Sequence, residues 1–159
     1  MEFLEPFQYQ PRARALFEQL AAAIQEALPD ARIEHVGSSS MPDLVSKGDL
    51  DIYVEVDPAD FDACINALTS IGCRIKEGSE RNDALCPFEL DGYPLDVGVQ
   101  LVARGSKYEF FLTFRDRING DAAIRQRYNE LKLNCSGLAP DEYRRIKADF
   151  IESVLGESD

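Results

Sequence analysis

Apolar and polar positions follow two periods along this chain, and the switches between them mark its elements. Ala15, Leu16, Leu20, Ala23, Ile24, Ala27 and Leu28 recur at helical spacing behind Pro11, which suits a first helical position, so the pattern predicts a helix over Pro11–Leu28. Pro29-Asp30 ends it, and Arg32 to Val36 reads as a short strand running into Gly37. Asp49 to Val56 then alternates strictly. Asp49, Asp51, Tyr53 and Glu55 point one way, while Leu50, Ile52, Val54 and Val56 point the other. Asp57-Pro58 opens a helix whose buried face is Phe61, Cys64, Ile65 and Leu68, and which ends at Gly72. Cys73 to Lys76 reads as a strand and Glu77 to Asp83 as a polar loop. Asp91-Gly92 then predicts a hairpin between Ala84–Leu90 and Tyr93–Ala103. In the second arm Tyr93, Leu95, Val97, Val99 and Leu101 share a face, leaving Asp96, Gly98 and Gln100 opposite. From Ser106, which forms a capping-box pattern with Glu109, the period is helical again, with two further amphipathic stretches over Asp121–Leu133 and Asp141–Leu155.

A length of 159 residues fits one domain, 1–159, and no repeat or linker divides it. A net charge of -12 makes the chain repel polyanions, and no basic patch offsets this, so binding to nucleic acid or to an anionic membrane is not expected. Cys64, Cys73, Cys86 and Cys135 form no CxxC pair and His35 is the only histidine, which argues against both a disulfide framework and a zinc site. The N-terminus has no basic or apolar leader pattern, and no stretch approaches the roughly 20 apolar residues of a spanning helix. A soluble, cytoplasmic protein is expected.

The candidate chemistry lies between His35 and Val56. Gly37 has no side chain and lets a phosphate approach the backbone, while Ser38, Ser39 and Ser40 offer hydroxyls and N–H groups where a helical turn begins. Asp49 and Asp51, with Asp96 from a later strand, supply carboxylates. Phosphoryl and nucleotidyl transfer needs charge neutralised on the attacking and leaving oxygens, which Mg2+ (or Mn2+) held by carboxylates can do without any histidine or cysteine. Lys47 is a candidate phosphate contact. Taken singly, each feature has a plainer meaning: alternating acids form a solvated face, Gly-Ser is an ordinary turn, and a loop lysine faces water. His35 reads as a packed or hydrogen-bonded structural residue, and Glu34 and Glu55 as surface acids. The combination is what points to a site.

The arrangement of Gly37-Ser38, Asp49-Leu50-Asp51 and Asp96 resembles the polymerase-beta type nucleotidyltransferase superfamily, marked by a Gly-[Gly/Ser] turn, an acid-x-acid strand and a third carboxylate. Within it the chain is most similar to the GrpB family, through EHVGSSSMPDL with Lys47, Phe114-Arg115-Asp116, Tyr128, Leu131-Lys132, Tyr143, Lys147 and Phe150-Ile151. The resemblance implies an α/β (α+β) fold, a mixed sheet packed by helices with additional C-terminal helices. It departs where that family places its acid pair at the positions of Asp51 and Tyr53, a proline at Gly48 and a His-x-His segment near Asp96.

The expectation is a metal-dependent transferase. It binds a nucleoside triphosphate through Gly37, Ser38, Ser39, Ser40 and Lys47, with Asp49 and Asp51 as metal ligands. Asp96 is a third ligand or the base for a small-molecule or protein acceptor. A nucleotide- or phosphometabolite-binding module of the same fold, without turnover, is the second reading; an interaction protein docking through its C-terminal helices is the third.

Overall fold

The computed structural model describes residues 2–156, so residues 1 and 157–159 of the expected domain lie outside the described residues. Its sheet has the order β1-β2-β5-β4-β3, from β1 (Arg32–Val36), β2 (Asp49–Val56), β3 (Arg74–Ile75), β4 (Leu85–Leu90) and β5 (Asp96–Ala103). β2 and β5 run parallel and the other pairings are antiparallel, so the sheet is mixed. The two-residue period decides which side each residue serves. Leu50, Ile52, Val54 and Val56 join Val97, Val99 and Leu101 in one core, closed by α1 (Pro6–Ala27) and α2 (Phe61–Ser70) through Tyr9, Leu20, Ile24, Phe61 and Leu68. The opposite face is covered by α3 (Phe110–Asn119), α4 (Ala122–Asn134) and α5 (Pro140–Leu155). A second core forms there, with Phe114, Ile118, Tyr128, Phe150 and Val154 packed on Met41 and Leu44 of the loop before β2.

Four expectations are corrected. The first helix begins at Pro6, not Pro11, because Gln8 Oε1 accepts the Glu5 N–H at 2.7 Å and buried Tyr9 and Gln10 bond Leu44 O at 2.9 Å and Met41 O at 2.8 Å. Pro11 is thus inside the helix, where these anchors offset the backbone bond it forgoes. The hairpin is wider than its Asp-Gly signal: β5 starts at Asp96 and Leu90 pairs Val97, since Pro94 has no N–H to give a ladder. The cap before α3 is shifted by one residue, with Ser106 Oγ accepting from Tyr108 N and Glu109 Oε2 from Gly105 N. Glu55 is no surface acid. It is buried, accepting from the Tyr53 hydroxyl at 2.8 Å and Arg104 Nε at 3.2 Å. The four cysteines are free and buried, and among the described residues no helix is long and apolar enough to cross a membrane.

Candidate functional site

β1 turns sharply at Gly37 into a single 3-10 turn, Ser38–Ser40, and β2 returns beside it carrying Asp49 and Asp51. Gly37 has φ +75°, and a Cβ there would stand 2.3 Å from Asp51 Oδ2. A Cβ on Gly98 of β5 would be 3.2 Å from Asp51 Oδ1. The Asp51 carboxylate therefore occupies a cradle left by two absent side chains. No hydrogen bond or ion pair to it is made by the described residues, which leaves it directed at the cavity that Asp49, Ser38 and Gly37 also line. Burial, and secondarily Asp49, raises its pKa to about 6 against the opposing pull of Lys147, Lys76 and Lys132.

The three serines divide their work. Ser39 is buried, and its Oγ is hydrogen-bonded to His35 Nε2 at 2.8 Å. Ser40 Oγ donates to Gly37 O at 2.6 Å, closing the turn on itself. Ser38 faces the cavity, and its Oγ accepts a bond from Lys132 Nζ. Since the lysine occupies an acceptor position, the Ser38 hydroxyl proton is aimed elsewhere, and it has no acceptor among the described residues. His35 is a structural residue as the sequence indicated. It stacks on Phe17 with ring centroids 4.8 Å apart, and burial, then Arg14 and Arg115, pulls its basicity down to about 4.

The roof over these groups is basic. Lys132 of α4 is 2% exposed, donates to Val45 O at 2.8 Å and lies 4.3 Å over the Tyr128 ring; burial, then Lys147, lowers its basicity well below the usual lysine range. Lys147 of α5 lines the same cavity with no hydrogen-bond partner among the described residues. Tyr128, Tyr143, Asp51 and Asp49 around it keep it protonated, outweighing burial. Lys47 is exposed at the cavity edge, 5.8 Å from the Tyr143 ring centroid. Two carboxylates on the sheet thus share one space with three lysine amines.

Asp96 stands apart. It is directly opposite Asp49 in the parallel register and on the same face of the sheet, yet it is exposed and outside the cavity lining. Among the described residues no three acids, histidines or cysteines converge as a metal-binding group. The residues that could hold a hard divalent cation are Asp49 and Asp51, which line one cavity, and water and ligand oxygens would supply the rest of its ligands.

The sequence profile described as GrpB protein matches residues 5–157. The chain belongs to the GrpB family. A UPF0157 protein of Vibrio cholerae is 42% identical, over 99% of this chain and 84% of that one, and a UPF0157 protein of Halalkalibacterium halodurans is 30% identical, over 94% and 77%. The crystal structure of GrpB from Enterococcus faecalis superposes with a TM-score of 0.73 at 22% identity, covering 97% of this chain and 99% of that one. Cid1 poly(U) polymerase with MgGTP bound superposes with a TM-score of 0.53 at 16% identity, over 73% of this chain and 39% of Cid1. The GrpB chain therefore has a nucleotidyltransferase-like fold.

Within this GrpB site, Lys132 and Lys147 were absent from the residues singled out for chemistry in the sequence, as were Phe110, Phe111 and Gln100 in the same lining. A signal for the lysines existed. Lys132 follows Ile124 and Tyr128 at steps of four, and Lys147 follows Tyr143 by four and precedes Phe150 by three, so both sit on apolar stripes where a solvated lysine does not belong.

Proposed function

We propose that this GrpB protein is a nucleotidyltransferase that takes a nucleoside triphosphate and passes its nucleotidyl group to a small-molecule or protein acceptor. The observation that carries the reading is the polarity of the cavity, with Asp49 and Asp51 on the sheet opposite Lys132 and Lys147 on the helices and the free Ser38 proton between them. A metal-bound triphosphate has that polarity, cation toward the acids and phosphate oxygens toward the lysines. Asp49 and Asp51 are the residues that would hold Mg2+ or Mn2+. The unpartnered Asp51 carboxylate in its glycine cradle supports that fit, and the bound ion supplies charge neutralisation at the reacting phosphate. Ser38, Lys132, Lys147 and Lys47 bind phosphate oxygens. Gly37, Ser39 and Ser40 hold the turn that presents Ser38, with Ser40 N donating to Gly37 O at 3.0 Å.

An acceptor oxygen attacks the α-phosphorus, its bond to the bridging oxygen breaks, and pyrophosphate leaves. Asp96, exposed on the same face, takes the acceptor proton. The net charge of -12 supports an acceptor other than a polynucleotide. Calorimetric titration with Mg-ATP and the other Mg-triphosphates tests the reading: heat of binding with the wild type, at least tenfold weaker binding with Asp51→Ala. Identical null heats for both would remove it. The position of Asp96 outside the lining favours a second reading, a nucleotide-binding module without turnover. Mass spectrometry of reaction mixtures separates the two, because only the transferase releases pyrophosphate.

A further inference from the structure

Gln100 lies on β5 beside Tyr53 of β2, two residues beyond Gly98 and therefore on the cavity side of the sheet. It is half-buried and lines the cavity, yet its side-chain amide makes no hydrogen bond with any described residue. The amide is open to the cavity rather than sealed in the core, so both its N–H and its C=O are available to a ligand there. The neighbouring wall is aromatic. Phe110 and Phe111 of α3 are half-buried, line the same space and stack on each other with centroids 4.4 Å apart, and Phe111 lies 6.3 Å from the Tyr53 ring.

We propose that Gln100, with Phe110 and Phe111, forms a subsite for a planar heterocycle that presents a hydrogen-bond donor beside an acceptor, the base of the bound nucleotide. The inference rests on the nucleotide reading above. A carboxamide offers N–H and C=O in one plane, which matches an edge such as the amino group and ring nitrogen of adenine; phenylalanine faces supply the flat apolar contact that rings of any base accept. Orientation within the cavity agrees. Gln100 pairs in register with Tyr53, so it stands on the side of Asp51 away from Asp49 and Lys47, and a ring there leaves Ser38 and the lysines to the phosphates.

The test uses the full-length protein with Mg2+ and two probes, ATP and inorganic triphosphate, on the wild type, Gln100→Leu and Gln100→Glu. The expected result is about tenfold weaker ATP binding in Gln100→Leu with triphosphate affinity unchanged, the size of one lost bidentate contact. Gln100→Glu removes the donor at constant shape and is expected to weaken ATP more than triphosphate as well. Equal affinity of wild type and both variants for ATP would overturn the base subsite while leaving the triphosphate reading standing. Wild-type binding of triphosphate no weaker than ATP would also overturn it, because the base would then contribute nothing. Failure of the wild type to bind either probe would bring down both.

Discussion

His35 and Asp51 titrate over the same pH range with opposite consequences for stability. Asp51 binds its proton more tightly in the folded protein, at about 6 against 3.8, so its contribution is full below about pH 4 and is lost as the pH rises through 6. His35 binds its proton less tightly, at about 4 against 6.5, so its contribution is full above 6.5 and is lost as the pH falls toward 4. Each is worth about 2 kcal/mol after allowance for partial exposure. The two slopes nearly cancel in the wild type. Asp51→Asn is therefore expected to gain stability over wild type as the pH rises from 4 to 6, and His35→Gln to gain as it falls from 6.5 to 4. Urea denaturation at pH 4, 5, 6 and 7 measures both differences, and parallel curves for wild type and variants would contradict the assignment.

Helix α4 is tied to the loop before β2 by side chains that do different jobs. Asn129 accepts from Val45 N at 2.9 Å and donates to Asp43 O at 2.6 Å, where Asp43 has φ +66°, so it holds the loop's shape. Lys132, one turn on, bonds Val45 O and Ser38 Oγ and brings its amine to the cavity. Asn129→Ala is expected to lose about 2 kcal/mol of stability with less than threefold change in Mg-triphosphate affinity. Lys132→Met replaces a buried polar amine by an apolar side chain of similar length, so its stability changes by only about 1 kcal/mol while affinity falls at least tenfold. Thermal melts beside calorimetry separate the two. The contrast also marks what the sequence could carry. Strict alternation made Asp49 and Asp51 legible, and the Gly-Ser turn was legible from composition. The reason for Gly37 was not, because the obstacle to a side chain there is Asp51, a residue on another strand. The roof lysines escaped for a related reason. Burial of a helical lysine depends on which loop its helix crosses, and local periodicity says only that it lies on an apolar stripe. Asp96 was placed on the correct face by alternation, but its exposure follows from the wide hairpin turn before it.

At the scale of the molecule, the sheet separates two cores with unequal duties. The core under α1 and α2, where Phe88 is fully buried, holds the sheet, and it reaches the cavity through β2, through Gln100 of β5 and through Gln10 of α1, whose Nε2 donates to Met41 O at 2.8 Å. The core among α3, α4 and α5 holds the roof. Phe150 stacks on Tyr128 at 4.9 Å and meets Phe114 edge-on at 6.5 Å, Tyr128 lies under Lys132, and Lys147 sits one turn before Phe150 on α5. Arg117 of α3 adds bonds to Val154 O at 2.7 Å and Leu155 O at 2.8 Å, fixing the end of α5. Removing either phenylalanine leaves a cavity of similar size, so Phe88→Ala and Phe150→Ala are each expected to cost about 3–4 kcal/mol. Their effects on ligand binding should diverge. Phe150→Ala loosens the packing that presents two lysines to the cavity, and at a temperature where both variants remain folded its Mg-triphosphate affinity is expected to drop about tenfold, while Phe88→Ala stays within threefold of wild type. Equal losses in the two variants would mean that the roof is held by the sheet as a whole, and that the C-terminal helices do not separately control the site.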